Sequence, residues 1–384
     1  MVVAHGARPT LAGQPPARLA YADNLKVALV AGVVLAHVCL AWNGLEGAWV
    51  LSEPTVREPL LSVLLLATIV GVTFGMPLFF MVAGLFTPKS LQRKGTRQFL
   101  RDRAFRLLLP SIAFVLLLTP PIEFVDSSNA GFRGSFWEFI PHAWWPLPPP
   151  PGPTWFLGVL LVFSTAYAVV RRTWPRGPGT GRRLTGRGLA VTVVLVTVAS
   201  YAVRIWAPFG EERWHLAVAQ APGWVAGFAL GLLAGENGWF DHLDARLATR
   251  VRHLAWLSMA GCAALVAALS TAGADVDVFG GGGTWQSLVF AAIESTVLVT
   301  ASFWVVDAFR RRADRQGPLA RSLGRAAYAT FFVHQGVLVL LILASRHLPW
   351  PTEARFVLVA VLGVVLSFAF GAALLRVPGV AKVL

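Results

Sequence analysis

Apolar positions along the chain fall into long unbroken blocks. They show neither the alternation of a half-buried strand nor the narrow stripe of a soluble amphipathic helix. Ten blocks approach the roughly 20 residues that a helix needs to cross a hydrocarbon core of about 30 Å. They are approximately 25–43, 60–87, 106–122, 154–171, 188–207, 215–235, 253–271, 285–308, 326–345 and 354–375. The pattern predicts an all-α fold, a polytopic transmembrane helical bundle of about ten spans. The second block is too long for one perpendicular crossing, so it must tilt, kink near Pro77 or extend beyond the bilayer.

The polar positions between blocks alternate in charge. The connection after the second block carries Lys89, Arg93, Lys94, Arg97, Arg101 and Arg103, and the one after the fourth carries Arg171, Arg172, Arg176, Arg182, Arg183 and Arg187. Arg246, Arg250 and Arg252 follow the sixth block, and Arg310, Arg311, Arg312, Arg315, Arg321 and Arg325 follow the eighth. The intervening connections are poor in basic residues: Glu123, Asp126 and Glu138 beside Arg133, then Glu211 and Glu212 beside Arg213, then Asp275 and Asp277. The positive-inside rule therefore predicts both termini in the cytoplasm and an even number of spans. Residues 1–22 read as a short cytoplasmic lead without a cleavable signal, and residues 23–384 as one transmembrane domain.

Composition agrees with this pattern. The 384 residues are 56% hydrophobic and only 14% charged, with a mean hydropathy of +0.63. The net charge of +14 does not point to nucleic acid, because the arginines sit between apolar blocks rather than on soluble helices with interleaved aromatics. Cys39 and Cys262 lie inside apolar blocks, so neither a disulfide nor a metal site is indicated. The longest external connection, about 123–153, holds PHAWWPLPPPPGPTW, whose proline density favours extended backbone. Its Trp144, Trp145 and Trp155 suit the outer headgroup belt, or alternatively a platform for a sugar. GPGTGRRLTGRG reads as a flexible linker and FGGGGTW as an external turn.

Candidate chemistry begins with two cations in the first block. Lys26 and His37 are eleven residues apart, about 1100° of helical rotation, so they share one face some 16 Å apart. Lys26 alone is an ordinary topology anchor. His37, expected near mid-membrane and slightly toward the outside, is either an interhelical hydrogen-bonding group or a general base. Arg103 and Arg106, three apart on one face, are a topology signal or a phosphate site. Glu294 lies inside a span and must be paired, protonated or facing an aqueous cavity; pairing with His37 or an arginine would orient the base. His334 is open to a structural hydrogen bond, a supporting role behind the reacting groups or an acceptor-side role. Glu46, Glu123 and Asp126 read as solvated outer carboxylates; Arg204 and Trp206, near the outer end of the fifth span, are explained by topology or meet an acceptor. Gly223, Gly227, Gly231 and Gly235 form a row suited to close helix packing.

Taken in order, these segments resemble the acyltransferase-3 family of membrane proteins. Lys26 and His37 resemble its Arg/Lys-x10-His motif; FGMPLFFMVAGLF (Phe74–Phe86) its second span; Arg103 and Arg106 its R-x-x-R motif. GPTWFLGVLL (Gly152–Leu161) resembles its P-x-W-[FY] segment, and SLGRAAYATFFVHQ (Ser322–Gln335) its late span ending in His-Gln. Within the family, the resemblance is to the glucan-succinylating branch, glucan biosynthesis protein C. Two positions depart: Ala83 stands where the family often has serine, and Lys26 where arginine is common. The resemblance implies a multi-pass inner (plasma) membrane O-acyltransferase that moves an acyl group from cytoplasmic acyl-CoA to a hydroxyl of an extracytoplasmic carbohydrate. No appended esterase-like domain and no resident cofactor are expected. His37 and Glu294 would be catalytic; Lys26, Arg103 and Arg106 would hold the donor; Trp155 and His334 would meet the acceptor. The rival reading is a transporter or flippase for a glycan or lipid-linked precursor. It would call for related halves with paired broken helices, and no such halves are evident.

Overall fold

A computed structural model describes residues 19–45, 47, 49–142, 149–175, 181–272 and 277–384. Glu46, Trp144, Trp145, Asp275, most of the N-terminal lead and the start of the Gly-rich linker lie outside them. Among the described residues every regular element is helical, apart from an isolated bridge between Arg213 and Leu216. In chain order the helices are α1 (Ala20–Trp42), α2 (Leu60–Val70), α3 (Met76–Lys94), α4 (Thr96–Leu117), α5 (Thr119–Asn129), α6 (Phe136–Phe139) and α7 (Trp155–Thr173). They continue with α8 (Gly186–Arg204), α9 (Ala221–Asn237), α10 (Ala245–Ala272), α11 (Asp277–Gly280), α12 (Trp285–Arg312), α13 (Pro318–Ser345) and α14 (Thr352–Leu374). Nine described helical segments are long and apolar enough to span a membrane, and the bent pair α4–α5 supplies a tenth. All ten expected spans are therefore present as helices.

Two spans are interrupted, and proline explains both. Between α2 and α3 lies a π-turn, Gly71–Gly75, immediately before Pro77. Proline has no N–H to give the preceding turn and its ring crowds that turn's carbonyl; the wider π-turn makes room. The α4–α5 pair bends by 42° where Pro120 and Pro121 open α5 and leave the last carbonyls of α4 without their helical donors.

The basic connections differ from expectation in one respect. Only Gly95, at φ +72°, separates α3 from α4. The lysines and arginines read as a loop after the second block thus lie on helix ends that overshoot the apolar block. Arg310 to Arg312 likewise close α12, and Arg321 and Arg325 open α13.

The glycine row has the role expected of it. A Cβ on Gly227, Gly231 or Gly235 would run into the backbone carbonyls of Pro77, Met81 and Leu85 respectively, and one on Gly84 into that of Phe228. Both rows step by four residues, so α3 and α9 meet backbone to backbone along several turns. On the other side of the bundle α1 packs with α13 and α14. There Val34, Val38 and Trp42 join Leu338, Ile342 and Val359 in one buried cluster.

Candidate active site

His37 and Lys26 lie on one uninterrupted helix. Lys26 Nζ is 3.2 Å from Asp23 Oδ1, one turn earlier, with its side chain nearly half exposed. His37 Nδ1 is 2.8 Å from the Val33 carbonyl oxygen. A carbonyl only accepts, so Nδ1 carries the hydrogen and Nε2 keeps its lone pair, the state required of a proton acceptor. His37 stands five residues before the end of α1, about 8 Å.

His334, on α13, faces it. The two rings have centroids 5.0 Å apart at 52°. His334 is fully buried, its Nδ1 is 2.7 Å from the Phe331 carbonyl, and its Nε2 has no partner among the described residues. Beside it the Gln335 side-chain oxygen is also buried and unpartnered. Trp49 closes the other side, 5.9 Å from the His37 ring centroid, with a buried Nε1–H lacking an acceptor. Buried polar atoms without partners call for an explanation, and two of them, on Trp49 and His334, flank one imidazole, which marks this as a place suited to receive something polar.

Trp49 was not foreseen in the sequence. It reaches His37 because the segment after α1 turns back and is fastened down. Glu53 donates its N–H to the Ala41 carbonyl at 2.8 Å. Its carboxylate, almost fully buried, accepts from Arg346 Nε at 2.7 Å and Arg355 Nη1 at 3.4 Å. The Arg57 N–H adds a bond to Glu353. This staple joins the connection after α1 to the adjoining ends of α13 and α14.

The arginines form a second locus. Arg103 Nη2 donates to the Thr87 hydroxyl at 3.1 Å, and that hydroxyl donates to the Ala83 carbonyl at 2.8 Å. At Ala83, where the resemblance led one to look for serine, the neighbouring hydroxyl is therefore Thr87. The guanidinium also lies over the Phe99 ring at 5.3 Å. Arg106 is exposed. Pro110 denies its carbonyl the usual helical donor, and the Tyr328 hydroxyl donates to it instead. Tyr328 precedes His334 by six residues, about 9 Å along α13. One helix thus touches both the arginine locus and the histidine pair.

Two expected site residues lie elsewhere. Of the two partners open to Glu294, the structure supplies the arginine. The carboxylate is ion-paired with Arg204, which is fully buried and flanked by the Phe209 and Phe290 rings at 4.9 and 5.0 Å. The Nδ1 of His37 is engaged by Val33, so Glu294 is not the group that orients it here. Trp155 joins an aromatic cluster, 4.6 Å from the Trp224 ring centroid. It lines an apolar groove of about 300 Å³ between α4 and α7, with Leu107, Ser111, Pro151 and Leu161. Among the described residues no group of three or more His, Cys, Asp or Glu side chains is arranged to hold a metal ion.

A family model described as an acyltransferase domain, that of acyltransferase-3, matches residues 19–376. No curated protein and no solved structure gives a significant match to the chain. With the family model spanning all ten apolar segments and both loci, the chain belongs to the acyltransferase-3 family and is a multi-pass membrane acyltransferase.

Proposed function

We propose that this protein moves an acyl group from cytoplasmic acyl-CoA to a hydroxyl of an extracytoplasmic carbohydrate, a cell-envelope glycan such as a glucan, with both termini in the cytoplasm of the cell that bears it. The observation that carries the reading is His37: an imidazole within a span, its Nε2 unprotonated and its neighbours short of hydrogen-bond partners. That is the equipment for taking a proton from a hydroxyl as it attacks a thioester.

The charge distribution supports the direction. Phosphates do not enter hydrocarbon, so a donor bearing them would stay at the end of the bundle rich in arginine and lysine. Arg103, already oriented by Thr87, and exposed Arg106 and Lys26 are the groups to meet it there. The thioester would then extend along α13 toward His37. Holding donor and acceptor together would supply much of the rate through orientation.

The test is acyl transfer by the purified chain from labelled acyl-CoA to a glycan fraction. His37→Ala should abolish transfer without loss of folded protein. Arg103→Ala combined with Arg106→Ala should raise the donor KM about tenfold or more, the loss of one or two charge-assisted hydrogen bonds. Full turnover in the His37 variant would remove it from the chemistry. An unchanged KM in the double variant would return the arginines to topology alone.

A further inference from the structure

We propose that the groove between α8, α10 and α12 holds one anionic phospholipid, its phosphate among the arginines at the rim and an acyl chain along α12. The lipid belongs to the leaflet on the basic side of the bundle, the cytoplasmic one under the orientation proposed above. The inference is independent of the acyl-transfer reading and needs only a chain that spans a bilayer.

The groove has a volume of about 590 Å³. Thr296, Val299 and Thr300 of α12 form its floor, and α8 and α10 form its walls. The floor threonines spend their hydroxyls on their own helix: Thr296 donates to the Ala292 carbonyl at 2.7 Å and Thr300 to the Thr296 carbonyl at 2.6 Å. The floor therefore has no hydrogen bond to offer a guest beyond those already made. Leu189 and Val193 of α8 and Val251 and Leu254 of α10 carry the apolar surface up the walls. Val194 and Leu254 are exposed, although both lie within spans, so the groove opens sideways to lipid. From Gly186 to Val194 it follows α8 for eight residues, about 12 Å. One leaflet of a hydrocarbon core is roughly 15 Å deep. A lipid chain entering from the rim fits that depth, whereas a polar guest would leave its own groups unsatisfied there.

The rim has the opposite chemistry. Thr185, Gly186, Asp244 and Arg250 line the groove where α8 and α10 begin. Arg246 stands one turn before Arg250 on the same helix, and Arg183 and Arg187 adjoin Leu184 and Gly186 in the chain. All four arginines are exposed, and none makes a hydrogen bond or ion pair through its side chain among the described residues. The carboxylate at the rim, Asp244, accepts the Leu247 N–H at 2.9 Å and so caps α10. Nearby Asp241 is engaged by Arg310 at 3.8 Å. The rim thus keeps an excess of positive charge, to which the N-terminal ends of two helices add. Arginines at the mouth of an apolar groove between spans suit an anionic lipid headgroup. A soluble phosphate compound would meet the rim and leave the groove unused; a neutral lipid would do the reverse.

The test is native mass spectrometry of the full chain released from vesicles of equal parts phosphatidylglycerol and phosphatidylcholine. The parental chain should retain one phosphatidylglycerol, at a preference of about tenfold or more over phosphatidylcholine, as two well-placed arginines would confer. Arg187→Gln combined with Arg250→Gln should bring that preference to within about twofold of parity. Ala190→Phe puts a ring on the groove wall without altering the rim, and should abolish retention of either lipid. Arg93→Gln combined with Arg97→Gln removes the same charge from the ends of α3 and α4 and should leave the preference intact. Equal retention of the two lipids by the parental chain would overturn the proposal. So would an undiminished preference in the Arg187 and Arg250 variant, a retained lipid in Ala190→Phe, or an equal loss in the Arg93 and Arg97 control. A lipid-free dimer mass would assign the groove to a second copy of the chain and overturn it as well. Acyl transfer is read at no step, so the outcome stands apart from that of the catalytic proposal.

Discussion

At the scale of single residues, the polar groups in the bundle divide by whether the protein satisfies them. Glu294 takes one guanidinium nitrogen of Arg204 within an aromatic enclosure, while Arg204 Nε and Nη1 stay without partners among the described residues, and Tyr328 satisfies the carbonyl that Pro110 leaves open. Trp49 and His334, which flank His37, are among the residues left with an unpartnered buried atom. The division makes a prediction about Glu294. Glu294→Gln leaves a buried guanidinium without its counter-charge and should cost about 3–5 kcal/mol, read as a lowered melting temperature in detergent. Replacing both partners, Arg204→Met with Glu294→Leu, should recover most of that stability. Loss of acyl transfer at an unchanged melting temperature would instead give the carboxylate a part in the chemistry. The sequence made Lys26 and His37 legible as a pair because one helix carries both, and fixed rotation per residue relates them. It could not show that Glu294 belongs to Arg204, because the two are 90 residues apart and only the packing of α8 on α12 joins them. Trp49 left no trace at all, since its contact depends on the return path of an irregular segment.

At the scale of elements, apolar length was the legible quantity and helix ends were not. A span must be long enough for the lipid, which hydropathy records. The helices here continue beyond it, as α3 and α4 do to either side of Gly95, because lysine and arginine are good helix formers once water is within reach. The packing of α3 on α9 is set by the absence of side chains. Gly231→Ala should therefore be costly, about 1–3 kcal/mol, because the new Cβ would occupy the place of the Met81 carbonyl. Gly261→Ala in α10, where nothing lies within 4 Å, should change stability by less than about 0.5 kcal/mol. Thermal unfolding of the two variants side by side measures the difference, and equal cost at both positions would contradict the backbone contact. Where the connection after α1 is concerned, the staple through Glu53 matters more than any regular element, for it keeps Trp49 against His37.

At the scale of the whole molecule, an arginine-bearing locus and a histidine pair are joined by one helix, α13, in a bundle whose basic residues gather on alternate connections. If both termini are cytoplasmic, Arg315 and Pro349, at opposite ends of α13 and both exposed, lie on opposite sides of the bilayer. In a chain carrying Cys39→Ala and Cys262→Ala, an impermeant maleimide added outside should label Pro349→Cys and leave Arg315→Cys untouched until the membrane is opened. The reverse pattern would invert the proposed donor and acceptor sides. The number of spans was readable because hydrocarbon imposes it; the neighbours of each span were not, because lipid-facing and helix-facing positions here are almost equally apolar.

The π-turn at Gly71–Gly75 bears on what the chain tolerates in length. Such a turn holds about one residue more than an α-turn, with the flanking helices left in step. Losing one residue there would close the turn to ordinary pitch and leave the downstream face still aimed at its partner. Losing one anywhere in α3 would rotate all that follows by about 100° and swing the carbonyls of Met81 and Leu85 off the glycines that receive them. Among homologues whose second span differs in length by a single residue, the gap belongs at this turn.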